Sequence, residues 1–227
     1  MIIDRTNHFD GLCDLAKEGE LMSFDSILFD LDGTLWDSVD EIVATWNNVI
    51  ECHPGLRVPI TRAEQESVMG LQMDEISRKL FPTEPPDRQM ALMEECIREE
   101  NQYLEEHGGT LYPEVAATLE YLHQKYKLFI VSNCQCGYIE AFLKAHKLAD
   151  HFDGFLCYGE TKKSKGENIK QVIAQFELKH PVYVGDTVGD QKSAQFAEIP
   201  FIYAAYGFGH ADNFDRQISS FCELRSV

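Results

Sequence analysis

The sequence predicts an α/β fold in which a parallel sheet carries an inserted helical domain. Short apolar runs that end on polar residues alternate with stretches of helical periodicity, which is typical of a parallel sheet covered on both faces. One long interval contains helical patterns only. The 227 residues exceed the roughly 150 of an average domain, which leaves room for an insertion. We therefore expect a Rossmann-like core with an inserted helical cap.

The first predicted strand starts at Ser26, where the segment SILFDLDGTLWDS runs from apolar residues into an Asp-Gly-Thr turn. Further apolar runs of this kind follow at 127–133 (KLFIVSN), 152–159 (FDGFLCYG), 181–186 (PVYVGD) and 200–207 (PFIYAAYG). Helical patterns accompany them at 114–125, 138–146, 166–176 and 191–197. The core is thereby predicted at 25–38 and 108–227, and residues 1–24 are expected to be an N-terminal accessory segment.

The predicted cap is the interval 39–107. It contains helix-compatible stretches such as DEIVATWNNVIEC and DRQMALMEECIREENQYLEEH, and no run typical of a strand. Residues 37–110 carry 16 acidic residues against 6 Lys plus Arg, a net charge of −10 out of −18 for the whole chain. We expect these helices to present solvated acidic faces.

The charge balance excludes several classes of partner. Twenty Lys plus Arg against 38 Asp plus Glu give a net charge of −18, which repels nucleic acids and anionic membrane surfaces. No stretch has the roughly 18 apolar residues of a membrane span, and the N-terminal residues are too acidic for a signal peptide. The seven cysteines are too sparse for a disulfide framework. We expect a cytoplasmic protein without a nucleic-acid or membrane partner.

Carboxylates follow the ends of two predicted strands. Asp30 and Asp32 leave the first strand two residues apart, so their side chains lie on the same side of the chain. Asp186 ends the strand at 181–186, and Asp190 follows across a short turn. Ligands of open α/β sheets bind beyond the carboxyl ends of the strands, so these carboxylates are expected to converge. Like charges at short distance need a cation, and an all-oxygen ligand set favours Mg²⁺.

Two further residues at this edge suit a phosphate group. Ser132 ends the strand at 127–133, and Lys165 stands just before the helix at 166–176. Together with backbone amides they are expected to hold phosphate oxygens while a carboxylate attacks phosphorus, which makes an aspartyl-phosphate. The expected partner is a small phosphorylated metabolite.

These segments resemble the four motifs of the haloacid dehalogenase superfamily of phosphohydrolases, in its helical-cap subclass. The resemblance rests on FDLDGTLWDS at 29–38 (the DxDGT motif), VSN at 131–133, SKGENI at 164–169 and VGDTVGD at 184–190. It spans about residues 24 to 210, and the helical insert lies where the superfamily carries its cap. The combination is similar to phosphoglycolate phosphatases and other small-metabolite phosphatases. Many relatives have proline after the lysine of the third motif, where this chain has Gly166.

The resemblance implies roles for the matched aspartates. Asp30 is the nucleophile and Asp32 the general acid/base. Asp186 binds Mg²⁺ directly, together with the Asp30 carboxylate and the backbone carbonyl of Asp32. For Asp190 two roles remain open, since it either ligates the ion or acts through water and neighbouring groups.

The resemblance also makes Ser132 and Lys165 phosphate ligands. Thr34 is expected to fix its loop and touch phosphate, with a purely structural hydroxyl as the alternative, and Asn133 is expected to act in the same way. Three neighbouring lysines remain alternatives to Lys165, at positions 162, 163 and 170.

Two loops receive a separate interpretation. In VMGLQMDE at 68–75, Gly70 interrupts two helical patterns, so Met69, Leu71 and Gln72 are expected to face the site and set substrate specificity. The alternative is that this loop only joins two helices. YGFG at 206–209 is interpreted as a flexible exit from the last strand, with a loop near the site as the alternative.

We expect a Mg²⁺-dependent phosphatase that hydrolyses a small phosphomonoester through an aspartyl-phosphate. A sugar-phosphate mutase of the same fold shares the core motifs and remains the enzymatic alternative. A catalytically inactive relative that binds a phosphorylated ligand is the alternative from another class. Loss of a motif residue would be the signature of that relative, and none is missing.

Overall fold

The computed structural model describes residues 24–226. The predicted accessory segment 1–24 therefore lies, except for Phe24, outside the described residues. Within the described part of the chain, no helix has both the length and the apolar composition needed to cross a membrane.

The described strands include the five predicted from the sequence. In chain order the strands are β1 (Ser26–Phe29), β2 (Trp36–Asp37), β3 (Thr110–Leu111), β4 (Lys127–Ser132), β5 (Gly154–Cys157), β6 (Pro181–Gly185), β7 (Phe201–Ala204) and β8 (Arg216–Ile218). Six of them form one parallel sheet in the order β5-β4-β1-β6-β7-β8, which confirms the predicted fold class. The sequence reasoning missed β8 and the antiparallel pair formed by β2 and β3.

Helices fill the intervals between the strands. They are α1 (Val39–Glu51), α2 (Arg62–Glu66), α3 (Met73–Leu80), α4 (Pro86–His107), α5 (Val115–Leu122), α6 (Tyr138–His146), α7 (Tyr158–Thr161), α8 (Lys165–Phe176) and α9 (Val188–Ala197). The first four lie between β2 and β3, so the chain enters and leaves this helical segment through the β2–β3 pair. The boundaries of a cap at 39–107 stay a prediction.

All four residues of strand β1 are buried, and its apolar side chains pack on both faces of the sheet. Ile27 and Phe29 pack into the core cluster that includes residues of α5 and α6. Leu28 packs on the opposite face, in the cluster that includes residues of α8 and α9. Alternate side chains of a strand point to opposite faces, so the apolar run predicts this three-layer arrangement.

The order of the strands determines where polar residues converge. Phe29 pairs in parallel with Ile130 of β4 on one side and with Val184 of β6 on the other. The chain order reverses at β1, and ligands of open α/β sheets bind at such a switch point, beyond the carboxyl ends of the strands. Asp30, Ser132 and Asp186 therefore lie at one edge of the sheet.

Two helices begin earlier than the sequence predicts, because a hydroxyl residue caps each of them. The Thr187 hydroxyl accepts a hydrogen bond from Asp190 N at 3.2 Å, so α9 begins at Val188. Asp190 lies in the first turn of this helix, and the prediction that it follows across a short turn is wrong. Ser164 caps α8 in the same way, which makes Lys165 the first residue of that helix.

Candidate active site

Three carboxylates converge at the carboxyl ends of β1 and β6. Asp30, Asp186 and Asp190 each offer one oxygen atom, and these atoms lie within 4.8 Å of one another. The three residues are buried, with at most 2% of the surface of each exposed. The expected convergence of these residues is therefore present in the structure.

Lys165 supplies the positive charge inside this cluster. Its Nζ lies 2.9 Å from Asp30 Oδ2 and 2.6 Å from Asp190 Oδ1. Burial on its own would lower the pKa of Lys165, but the Asp190 and Asp30 carboxylates raise it above the ordinary value. The ammonium group therefore stays charged and holds two of the three carboxylates.

The three lysines considered as alternatives to Lys165 have other partners. Lys163 donates to Gln171 Oε1 at 2.8 Å. Lys162 lies over the ring of Tyr158, and Lys170 lies over the ring of Phe196. Lys165 is the lysine that reaches the carboxylates in the described structure.

Backbone amides after β7 hold Asp186. Phe208 N and Gly209 N donate to Asp186 Oδ2 at 2.8 Å and 3.2 Å. The interpretation of YGFG at 206–209 as a mere exit from the strand is therefore wrong, because the segment binds a carboxylate of the site. Gly207 in this segment has a steric reason, since a Cβ on this residue would lie 2.3 Å from Asp186 Cβ.

Gly33 lets the loop after β1 close against the same carboxylate. A Cβ on this residue would lie 2.2 Å from Asp186 Oδ2. Its φ of +74° also favours glycine. The glycine of the Asp-Gly-Thr turn is thus required both by backbone conformation and by close approach to Asp186.

The cluster fits a divalent cation. Asp30 Oδ1 and Asp186 Oδ1 are buried and have no hydrogen-bond partner among the described residues. Burial, with the charge of Asp190 next, raises the pKa of Asp30 well above its ordinary value and that of Asp186 to about 7. A hard cation between two such oxygens would satisfy both and keep the carboxylates ionised.

Asp32 lies outside this cluster and has different partners. Its Oδ1 accepts hydrogen bonds from Tyr138 OH at 2.7 Å, Trp36 Nε1 at 2.9 Å and Ser38 Oγ at 3.0 Å. Burial raises the pKa of Asp32, and the three hydrogen bonds oppose this shift. The carboxyl group is held in one orientation by three donors, and its proton affinity is raised.

Sequence reasoning missed these donors. Trp36 and Ser38 follow Asp32 by four and six residues in the same motif, so their proximity was a usable signal. Tyr138 is 106 residues away in sequence, at the first position of α6, and no pattern connects it to Asp32.

The other predicted phosphate ligands lie at the same edge of the sheet. Ser132 is buried at the end of β4, and Thr34 is buried with its Oγ1 unpartnered among the described residues. Asn133 Nδ2 donates to the carbonyl oxygen of Gly70 at 2.9 Å, so this side chain contacts the loop at 68–75. A phosphate role for all three stays a prediction.

A small cavity of about 30 Å³ lies between these strand ends and the helical segment. Asp32 and Ser132 line it from the core, and Met69 and Leu71 line it from the loop at 68–75. Gln72 is not part of this lining, because it occupies the position that caps α3. A role of these three loop residues in specificity stays a prediction.

Glu100 on α4 also lines the cavity and was not singled out by sequence reasoning. Only 2% of this residue is exposed. Trp46 Nε1 donates to Glu100 Oε2 at 2.6 Å, and Gln135 Nε2 donates to Oε1 at 3.0 Å. Burial raises the pKa of Glu100 to about 8, against the two hydrogen bonds. The helix α4 contains several acidic residues, and no sequence pattern distinguishes the buried Glu100 from the exposed ones.

Glu100→Gln is expected to change how stability depends on pH. The Glu100 pKa rises from 4.5 to about 8 on folding, so the folded state binds more protons between these values. Stability from this group is present below pH 4.5 and is lost as the pH rises to about 8.

The uncharged variant should therefore gain stability relative to the wild type across that window, on the order of 2 kcal/mol with an upper limit of about 5. Urea unfolding of both proteins at about pH 5 and about pH 8.5 measures the difference. An equal difference at both pH values would refute the raised pKa.

Known proteins match this chain over most of its length. A family model described as "Haloacid dehalogenase-like hydrolase" matches residues 27–204. A phosphoglycolate phosphatase from Aliivibrio fischeri is 30% identical over 202 residues, which cover 82% of this chain and 86% of that protein. The phosphoglycolate phosphatase of Rhodobacter capsulatus is 26% identical over 189 residues, which cover 81% of this chain and 85% of that protein.

A solved structure shares the fold. A hydrolase of the haloacid dehalogenase-like family from Streptococcus pneumoniae superposes with a TM-score of 0.77 at 20% identity, covering 89% of this chain and 97% of that chain. The residues matched by the family model include all four aspartates of the site.

Proposed function

The chain belongs to the haloacid dehalogenase-like hydrolase family, and from that premise we propose that it hydrolyses a small phosphomonoester with Mg²⁺ through an aspartyl-phosphate on Asp30. It is a phosphoric monoester hydrolase. The observation that carries the proposal is the buried cluster of Asp30, Asp186 and Asp190 around Lys165.

The proposed metal ligands are the Asp30 and Asp186 carboxylates and the backbone carbonyl of Asp32. Asp190 acts directly or through water. The two unpartnered oxygens, on Asp30 and Asp186, support this assignment. When bound, Mg²⁺ offsets the negative charge of the phosphoryl oxygens and of the carboxylates around it.

Asp30 carries the first chemical step in this proposal. One carboxylate oxygen forms a bond to phosphorus while the bond between phosphorus and the leaving oxygen breaks. Asp32 gives its proton to that oxygen, so the alcohol leaves neutral. The raised pKa of Asp32 and its three fixed hydrogen bonds support this role.

Asp32 carries the second step as a base. It takes a proton from water, whose oxygen forms a bond to phosphorus as the bond between Asp30 and phosphorus breaks. Inorganic phosphate leaves, Asp30 is free again and Asp32 is again protonated. One carboxyl group thus serves both steps.

Lys165 is the proposed positive partner of the phosphoryl group. It is held beside Asp30, so its charge stands next to the attacking carboxylate. Ser132, Thr34 and Asn133 are proposed to bind the remaining phosphate oxygens. The helical segment between β2 and β3 is proposed to act as a cap over this edge.

Removal of the metal is expected to abolish turnover. We expect phosphate release from a phosphomonoester panel in Mg²⁺ and at least about a hundredfold less in chelator, because Lys165 alone then offsets the charge of three carboxylates and the phosphoryl group. Ca²⁺ should not replace Mg²⁺, since it prefers longer bonds and more ligands.

Full activity in chelator would contradict the metal assignment.

The same assay separates hydrolysis from the mutase alternative. A mutase returns an isomerised sugar phosphate without an equivalent amount of inorganic phosphate.

A further inference from the structure

The loop at 68–75 contacts the core directly beside the proposed phosphate site. Asn133 Nδ2 donates to the carbonyl oxygen of Gly70 at 2.9 Å, across 63 residues of sequence. Asn133 directly follows Ser132, which is the last residue of β4 and a proposed phosphate ligand. A single side chain therefore lies between the proposed phosphate site and this loop of the helical segment.

The site is too enclosed for a phosphomonoester to enter without movement of the protein. Asp30, Ser132 and Lys165 are at most 4% exposed. The cavity that Ser132 lines has a volume of about 30 Å³, which is room for about one or two water molecules. Part of the wall between the core and the helical segment therefore has to move before a substrate reaches Asp30.

Helix α4 forms the firmly attached part of this wall. Gln135, in the loop after β4, donates through Nε2 to Glu100 Oε1 at 3.0 Å and to Asn101 Oδ1 at 3.1 Å. Asn101 Nδ2 donates in turn to the carbonyl oxygen of Cys136 at 2.8 Å. Glu100 and Gln135 are at most 6% exposed. Release of α4 from the core would therefore break several hydrogen bonds, some of them buried.

The loop at 68–75 has a weaker attachment to the core. Within the described part of the chain, the bond donated by Asn133 is the one hydrogen bond that joins this loop to the core. Residues 69–74 are half-buried, and a Cβ built on Gly70 would lie no closer than 4.0 Å to the core, at Thr187 Cγ2. A segment with one such bond and half-buried side chains opens at a lower free energy than a segment with several buried bonds. The loop is therefore the part of the wall that can move while α4 stays in place.

The side-chain amide of Asn133 can serve two acceptors at once. Its Nδ2 carries two hydrogens, and the Gly70 carbonyl takes one of them. A phosphate oxygen is an acceptor that suits the second hydrogen. Asn133 Oδ1 has no partner among the described residues, so the bond to Gly70 is the contact that orients this amide. A phosphate oxygen on the second hydrogen would hold the amide in the same orientation.

We propose that Asn133 couples closure of the loop at 68–75 to binding of the phosphoryl group. One amide hydrogen binds the Gly70 carbonyl and the other binds a phosphate oxygen, so each contact orients the amide for the other. The loop is held closed while phosphate is bound and is released when phosphate leaves, and α4 stays attached throughout. The inference rests on the proposed function and specifies which part of the helical segment moves during it.

Amide hydrogen exchange of the wild-type protein in Mg²⁺, with and without inorganic phosphate, measures this coupling. Inhibition of the hydrolysis of an activated aryl phosphate gives the phosphate concentration that saturates the site. We expect saturating phosphate to slow exchange in the peptide that covers 68–75 by about tenfold. Exchange in the peptide that covers 96–104 of α4 should stay within about twofold, because this helix does not move.

Asn133→Ala tests the assigned residue. The variant keeps Ser132 and Lys165, so phosphate still binds, with an inhibition constant that we expect to be about tenfold weaker, because coupling acts equally in both directions. At a phosphate concentration that saturates the variant, the loop at 68–75 should exchange as fast as it does without phosphate. Asn48→Ala, the same change at an exposed position of α1, is the control and should keep the wild-type response to phosphate.

The outcomes separate this inference from the function on which it rests. Wild-type exchange at 68–75 that does not respond to phosphate, or a full response in Asn133→Ala, overturns the coupling and leaves the phosphatase intact. Equal slowing of the α4 peptide by phosphate overturns the claim that α4 stays attached. Absence of both Mg²⁺-dependent hydrolysis and inhibition by phosphate overturns the proposed function and the inference with it. If Asn133→Ala does not fold, the wild-type comparison of the two peptides is the deciding measurement.

Discussion

Asp30→Asn is expected to lower phosphate release from every phosphomonoester by more than about a thousandfold, with the fold intact. The amide cannot form an acyl-phosphate, so no other group of the site replaces its function. Asparagine has nearly the same shape, and Lys165 keeps its ion pair with Asp190 at 2.6 Å. Steady-state rates measured beside thermal melting curves give the result.

The stability of this variant is a built-in control. Burial and the charges of Asp190 and Asp186 raise the pKa of Asp30. Removing the charge of Asp30 therefore relieves repulsion from these two carboxylates in the metal-free protein. The melting temperature should therefore not fall by more than about 3 °C. Asp150→Asn makes the same change at an exposed position and should keep full activity. Activity of Asp30→Asn above a few per cent with a native melting curve would exclude Asp30 as nucleophile.

Asp32→Asn is expected to affect substrates differently according to their leaving group. An alkyl phosphate needs a proton on its leaving oxygen, so its turnover should fall by about 10² to 10⁴. The aryl oxide of an activated aryl phosphate leaves without protonation. The first step should therefore persist with this substrate, while hydrolysis of the aspartyl-phosphate slows. Rapid mixing should then show a burst of about one equivalent of aryl alcohol, followed by a slow phase.

The hydrogen bonds of Asp32 make this substitution conservative for the fold. Its three donors all reach Oδ1, and the amide oxygen of asparagine can accept the same bonds. Tyr138→Phe removes one of the three donors to Asp32 and keeps the carboxyl group. This variant should shift the pH profile of kcat without the large burst expected of Asp32→Asn. Equal losses of Asp32→Asn on alkyl and aryl esters, without a burst, would argue that Asp32 has no acid/base role.

The parts of this site that follow directly from strand ends could be predicted from the sequence. Asp30, Asp186 and Ser132 each come directly after an apolar run, and parallel strands bring such ends to one edge. Lys165 was predictable because of its motif, although its contact with two carboxylates was not. Predicting these residues needs only the local sequence pattern and the rule that the carboxyl ends of parallel strands meet.

The remainder depends on contacts between segments far apart in sequence. Tyr138 reaches Asp32 across 106 residues, and Phe208 reaches Asp186 across 22. Glu100 is one of many acids in the helical insert, and only packing against Trp46 and Gln135 makes it a buried residue of the cavity. Side-chain packing of this kind leaves no periodic signal in the sequence.

The central claim, a phosphoryl group carried on Asp30, is tested most directly by trapping. Asp32→Asn is mixed with an activated aryl phosphate in Mg²⁺, quenched during the slow phase and reduced with borohydride, which converts an aspartyl-phosphate into homoserine. Peptide mass spectrometry then locates the change. The account predicts that position 30 is converted to homoserine in proportion to the burst, while Asp186 and Asp190 are unchanged. An unmodified Asp30 beside a full burst, or conversion at another aspartate, would contradict it.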